Sequence, residues 1–230
     1  MPDITINGAD GPFSAYLAMP AGGKGPGIVA IQEIFGVNAD MREHCDAFAA
    51  QGYIAISPDL FWRQEPGIQI TDQTDAEWQQ AFQLYQGFDV DKGVDDLVTT
   101  LQHLRGIAGC TGKAGTVGFC LGGLLAYMMA CRSDAECNVS YYGVGIDERL
   151  DEAKTISTPT LLHIAEEDEY VDKTAQEKIK AGLAGNSYVT VHSYSGVNHA
   201  FTRNNGIHYD EAAAKLAQGR TADAFAAALR

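Results

Sequence analysis

Apolar stretches of strand length recur along this chain, separated by longer segments in which apolar residues return at helical spacing. The strand-length runs lie at 13–19, 27–32, 53–57, 115–119, 138–142, 160–165 and 188–194. Between them, 40–51, 75–87, 89–104, 173–183 and 212–229 read as helices. The 89–104 segment carries Val90, Val94, Leu97, Val98, Leu101 and Leu104 on one stripe, and 40–51 stops at Gly52, a residue suited to ending a helix. This alternation predicts an α/β fold with a mainly parallel central sheet and helices on both faces. The stretch 58–73 is less regular: its Phe61-Trp62-Arg63 and Pro66-Gly67 predict a loop bordering a pocket, and whether it forms a lid is left open.

One segment of this pattern carries chemistry. Gly118-Phe119-Cys120-Leu121-Gly122-Gly123 follows the apolar Ala114-Gly115-Thr116-Val117 and precedes the helix-forming Leu124-Leu125-Ala126-Tyr127-Met128-Met129-Ala130. Cys120 therefore falls in the strand, sharp turn, helix context of a nucleophile elbow. Such a turn strains the nucleophile's backbone and leaves no room for a Cβ two residues away, which gives the glycines a mechanical reason. A thiol also needs a base and surroundings that favour its anion. The positive end of the helix that begins after Cys120 supplies part of those surroundings.

Composition narrows the partners. The 230 residues can bury a full core, and no linker, internal repeat or low-complexity tract divides them, so 1–230 reads as a single domain. A formal net charge of -14 argues against nucleic acid or an anionic membrane as a partner. No apolar run is long enough to cross a bilayer, and Met1-Pro2-Asp3-Ile4-Thr5 has neither the basic start nor the apolar core of a signal peptide, so the cytoplasm is the expected location. Cysteines at 45, 110, 120, 131 and 137 form an odd, irregularly spaced set that reads as reduced thiols. No metal site and no cofactor are expected from that spacing.

A base for Cys120 has to come from later in the chain. In α/β-hydrolases the acid and the histidine follow the nucleophile in that order, at the ends of later strands. His199 follows the 188–194 run within Gly196-Val197-Asn198-His199-Ala200-Phe201. Asp168 follows the 160–165 run, with Glu166, Glu167, Glu169 and Asp172 as competing acids around it. His199 would deprotonate Cys120 and then protonate the leaving group, while the acid fixes the imidazole tautomer. The other histidines read as structural: His163 and His192 in strands, His44 and His103 in helices, His208 near the tail. For the oxyanion, the backbone N–H groups of Leu121 and of Ile34, in the loop after 27–32, are the candidate donors.

Taken together, Gln32-Glu33-Ile34-Phe35-Gly36-Val37-Asn38, Met41-Arg42, Gly52-Tyr53, Pro58-Asp59-Leu60, the cysteine elbow, Tyr141-Tyr142-Gly143-Val144-Gly145 and Gly196-Val197-Asn198-His199-Ala200-Phe201 resemble the dienelactone hydrolase family over nearly the whole chain. That family comprises cysteine-dependent α/β-hydrolases that open enol-lactones. The resemblance favours Asp168 over its acidic neighbours and implies that Glu33 lies beside a resting neutral thiol, taking its proton when substrate binds. It also implies two arginines that hold a substrate carboxylate. Arg203 matches one; Trp78 stands in the place of the other, and Phe82 stands where a tyrosine is common, in a segment that ends at Tyr85. Losing one cation and one hydroxyl predicts weaker anion binding and a preference for an apolar or aromatic group.

The expectation is thus a hydrolase that opens a lactone or small ester through a cysteine acyl-enzyme. Its partner would be a small molecule, and its oligomeric state is open, with a monomer as one option. The alternative is a non-catalytic small-molecule-binding or thiol-sensing protein on the same scaffold. The joint presence of Glu33, Cys120, Asp168 and His199 argues against it, because binding alone needs no triad.

Overall fold

The computed structural model describes residues 3–230. In chain order the strands are β1 (Asp3–Gly8), β2 (Gly11–Ala18), β3 (Gly25–Ile31), β4 (Ile54–Pro58), β5 (Cys110–Phe119), β6 (Asn138–Tyr141), β7 (Thr160–Ala165) and β8 (Val189–Tyr194). The helices are α1 (Ala39–Ala50), α2 (Asp75–Gln86), α3 (Val90–Gly106), α4 (Leu121–Arg132), α5 (Lys173–Leu183) and α6 (Glu211–Leu229). The strands form one sheet in the order β1-β2-β4-β3-β5-β6-β7-β8. β2 pairs antiparallel with β1 and β4, whereas β3 with β4, β6 with β7 and β7 with β8 are parallel. This is the α/β-hydrolase class of fold that the sequence predicts.

Four elements differ from expectation. β1 was not foreseen: only Ile6 of its six residues is buried, so it has little hydrophobic signature, and it is held instead by a hairpin that sets Gly8 opposite Gly11. β5 starts at Cys110 rather than 115 because its exposed Thr111, Gly112 and Lys113 extend the apolar part. Two short 3-10 helices, Ile146–Glu148 and Leu150–Thr155, are too brief to show a period.

The chain packs as two compact units, Met1–Thr116 and Val117–Arg230. In the first, β3 and β4 are buried along their whole length, as strands covered on both faces must be. Val94, Leu97, Leu101 and Leu104 turn the predicted stripe of α3 inward, and a Cβ on Gly27 would come within 2.7 Å of Leu104, so α3 lies close on β3. The irregular 58–73 stretch is tied down by polar side chains. The Asp59 carboxylate accepts from the N–H groups of Phe61 and Gly67 at 3.0 and 2.7 Å, and Asp96 accepts from Trp62 at 2.9 Å and from both ends of the Arg63 guanidinium. Gly36, at φ +76°, lets this stretch close against the chain: a Cβ there would collide with the Ile68 carbonyl oxygen.

In the second unit β6 and β7 are fully buried, and so is every residue of α4 from Leu121 to Cys131. Such an all-round apolar helix belongs in an interior. α6 buries Ala214, Ala217, Thr221, Phe225 and Leu229, one stripe of a largely alanine helix. The five cysteines are free thiols. No helix among the described residues is long and apolar enough to cross a membrane.

Candidate active site

The helix caps set Cys120 apart. Asn38, Thr74, Asp89, Asp172 and Asp210 cap α1, α2, α3, α5 and α6, each side chain accepting from a backbone N–H of the first turn. At the same position of α4 stands Cys120, which makes no side-chain cap bond. Its backbone lies at φ +55°, ψ -115°, a region that residues with a Cβ enter at a cost of about 1–3 kcal/mol. The turn is held open by its surroundings: the Cys120 N–H donates to the Tyr141 carbonyl at 3.1 Å, and the Cys120 carbonyl accepts from Gly123 and Leu124 at 2.9 and 3.2 Å. Cβ atoms on Gly118 and Gly123 would collide with the carbonyl oxygens of Gly122 and Tyr141, so both positions require glycine. Leu121 opens α4, and like any first helical residue its N–H has no acceptor within the helix.

The loops after β7 and β8 bring Asp168 and His199 together. His199 is 3% exposed, and its Nδ1 lies 2.9 and 3.1 Å from the two Asp168 carboxylate oxygens. Asp168 Oδ1 also accepts from the N–H groups of Tyr170 and Val171 at 2.9 and 3.1 Å, so backbone donors orient the carboxylate before it meets the ring. His199 Nε2 is buried with no hydrogen-bond partner among the described residues, and Cys120 is the neighbour that most strongly raises the ring's pKa. Burial alone pushes this imidazole down. The charge of an ionised Cys120, followed by the hydrogen bond to Asp168, outweighs burial and raises it to about 10.

The competing acids have other occupations. Glu166 accepts from Ser195 Oγ at 2.8 Å, Glu167 pairs with Lys173 at 3.1 Å, and Asp172 caps α5. Arg203 is 7% exposed, four residues beyond His199. Two aromatic rings that the sequence analysis did not assign to the site pack on His199. Tyr142 and Tyr170 meet it edge-on at 5.0 and 4.9 Å between ring centroids. Tyr142 sits at φ +39° and shares a 2.8 Å hydrogen bond with Thr202. Tyr170 is 40% exposed; burial, then the charges of Glu169 and Cys120, raise its phenol, while Arg203 pulls it down. The signal for Tyr170 was its place two residues after Asp168, where a turn around the carboxylate brings the side chain back toward the histidine.

Glu33, Ile34, Trp78, Phe82 and Tyr85 belong to the first unit. Glu33 and Ile34 are buried in the loop after β3. Gln32 braces that loop, donating to the Glu33 carbonyl at 3.2 Å and accepting from the Leu60 N–H at 3.0 Å. Trp78 lies on α2 with its indole N–H on the Asp72 carbonyl at 3.0 Å, its ring edge-on to Phe35 at 5.1 Å and stacked on Phe82 at 5.5 Å. Tyr85, half-buried, lies further along α2. An aromatic cluster therefore occupies the part of α2 where the family resemblance leads one to expect a cation and a hydroxyl. Among the described residues no group of three or more His, Cys, Asp and Glu side chains could hold a metal ion.

Residues 13–229 match the model of the dienelactone hydrolase family. A carboxymethylenebutenolidase of Pseudomonas putida is 38% identical over 224 residues, covering 97% of this chain and 95% of its own. An Azospirillum brasilense protein, provisionally named a carboxymethylenebutenolidase, is 55% identical over 229 residues and 98% of both chains. Among solved structures, one from Klebsiella pneumoniae, provisionally named a dienelactone hydrolase, superposes with a TM-score of 0.87 at 25% identity over 98% of this chain and 97% of its own. On these grounds the chain belongs to the dienelactone hydrolase family and is a hydrolase.

Proposed function

We propose that the protein, acting as a single domain over 1–230, opens a lactone or small ester through an acyl-enzyme on Cys120. The observation that carries this reading is the cysteine in a strained strand-to-helix turn, interacting with a buried histidine whose far nitrogen rests on a pre-oriented carboxylate. His199 takes the thiol proton, and the thiolate sulfur attacks the carbonyl carbon. The oxyanion that forms accepts hydrogen bonds from the N–H of Leu121 and, by family resemblance, that of Ile34. The tetrahedral species collapses, the carbon–oxygen bond of the ester breaks, and the imidazolium returns its proton to the departing oxygen. In a lactone that oxygen stays attached through the ring chain, leaving a thioester. Water then attacks the thioester with His199 again as base, the carbon–sulfur bond breaks, and carboxylate and thiol are regenerated. Asp168 holds the imidazole in the tautomer both halves require.

The resemblance implies that Glu33, as a carboxylate beside the thiol, is the first acceptor of this one proton once substrate is bound and relays it to His199, which carries it to the departing oxygen. Purified Cys120→Ala protein should lose turnover of aryl esters and of a dienelactone by about 10⁴-fold or more. Turnover at the wild-type rate would reject the acyl-enzyme.

Arg203 is assigned to the carboxylate end of the substrate, and Trp78, Phe82 and Tyr85 to an apolar or aromatic portion. One matched arginine and a stacked indole suit a lactone or ester carrying an aromatic group better than one dominated by negative charge. Trp78→Arg should raise kcat/KM for carboxylate-bearing lactones relative to neutral esters by about tenfold, mostly through KM. An unchanged ratio would remove Trp78 from the substrate-binding set.

A further inference from the structure

We propose that Asn198 and His208 clamp the backbone of His199, which makes His208 a positioning residue for the imidazole. The proposal rests on the reading of His199 as the base for Cys120. Both backbone polar groups of His199 are engaged: its N–H donates to Asn198 Oδ1 at 2.6 Å, and its carbonyl lies 3.2 Å from His208 Nδ1. A carbonyl only accepts, so Nδ1 of His208 carries the proton. In the neutral ring Nε2 is then a lone pair, and it lies 3.4 Å from the Asn198 amide nitrogen, a donor. Asn198 Oδ1 receives a second N–H, that of Glu169, at 3.1 Å, while its Nδ2 lies 3.5 Å from the Glu169 carboxylate. The amide orientation and the imidazole tautomer therefore fix each other.

Two consequences make this more than a surface network. Glu169 directly follows Asp168, so Asn198 joins the loop carrying the proposed acid to the loop carrying the proposed base. The second is strain: Ala200, next to His199, sits at φ +61°, a left-handed conformation that a residue with a Cβ adopts only when its surroundings hold it there. Bonds from Arg203 N–H to the Ala200 carbonyl and from Asp210 N–H to the Phe201 carbonyl, both 3.0 Å, close the loop behind it. Without His208, the His199 carbonyl is free to rotate and Ala200 to relax. The imidazole then leaves the narrow geometry in which one nitrogen addresses Asp168 and the other Cys120.

The test uses the full-length protein and p-nitrophenyl acetate hydrolysis, with melting temperature measured in parallel. His208→Ala should lower kcat by about tenfold at unchanged KM and nearly unchanged melting temperature. His208→Asn places a donor where Nδ1 was and should recover most of the loss. His208→Gln reaches only toward the Nε2 position and should not. Wild-type kcat in His208→Ala, or equal rates in the Asn and Gln variants, overturns the clamp, as does a loss of activity that tracks melting temperature across the set. Cys120→Ala, assayed alongside, separates the two readings. If it is inactive while His208→Ala is wild type, only the clamp falls; if it retains full turnover, the acyl-enzyme reading and the clamp fall together.

Discussion

Two buried histidines in the same half of the chain have opposite fates. His163 on β7 is 1% exposed and His199 after β8 is 3% exposed, yet the first is pushed down to about 3 and the second up to about 10. Burial acts downward on both. His163 has only uncharged partners at its nitrogens: Nδ1 lies 2.8 Å from the Tyr194 hydroxyl and Nε2 3.1 Å from Thr221 Oγ1. The Tyr194 hydroxyl also accepts from Arg220 at 3.1 Å, and burial, with the charges of His192 and Arg220, keeps the His163 ring neutral. His199 has a thiol at one nitrogen and a carboxylate at the other. The contrast teaches that the ionisable neighbours, rather than depth in the protein, decide which imidazole moves protons and which only braces the core.

The sharpest way to break the contrast is to take away the charge at His199 without changing its shape. In Asp168→Asn the side chain can still accept from the Tyr170 and Val171 N–H groups through its oxygen, which turns the amide nitrogen toward His199 Nδ1. The imidazole must then expose a lone pair at Nδ1 and move its proton to Nε2, where it can no longer receive the thiol proton. Its pKa falls with the loss of the carboxylate. We expect kcat to drop by about 10³- to 10⁴-fold, with the melting temperature far less affected. His163→Gln should leave kcat near wild type. A fully active Asp168→Asn would erase the distinction between the two rings.

Both rings could be read in the sequence. Strand-end position and chain order pointed to His199, and placement inside a strand pointed His163 to the core, because both depend on local pattern. The elbow was legible for the same reason: Cys120 and its glycines are neighbours in sequence. What pattern could not reach were contacts made by folding. Tyr142 and Tyr170 come onto the His199 ring through turns at φ +39° and around the Asp168 carboxylate, and neither turn has a period to detect. His208 was read as a structural residue near the tail, and only the loop closed by Asp210 and Phe201 brings its Nδ1 within 3.2 Å of the His199 carbonyl. β1 escaped because an edge strand with a single buried side chain draws its register from its hairpin.

A smaller effect tests the other half of the comparison through stability. Between about pH 3 and 6.5 the unfolded chain binds a proton at His163 that the folded chain refuses, so this residue makes stability fall as pH drops through that window. The sign is reversed for His199, whose raised value contributes stability that is fully present below about 6.5 and is lost as pH rises toward about 10. Carboxylates and the lowered, stacked His192 also titrate on the acid side, so wild type by itself is not diagnostic. His163→Gln keeps a donor and an acceptor in the core but cannot titrate, and His192 remains in both proteins and largely cancels from their difference. Urea unfolding at pH 4.5, 5.5 and 6.5 should show the variant less stable at the highest pH. The gap should then shrink by about 1 kcal/mol per pH unit as the medium is acidified, close to the limiting slope of ~1.4 for one proton. A gap that stays constant across that range would mean that His163 takes up its proton as readily in the folded protein as in the unfolded one, and the neutral bracing ring would have to be abandoned.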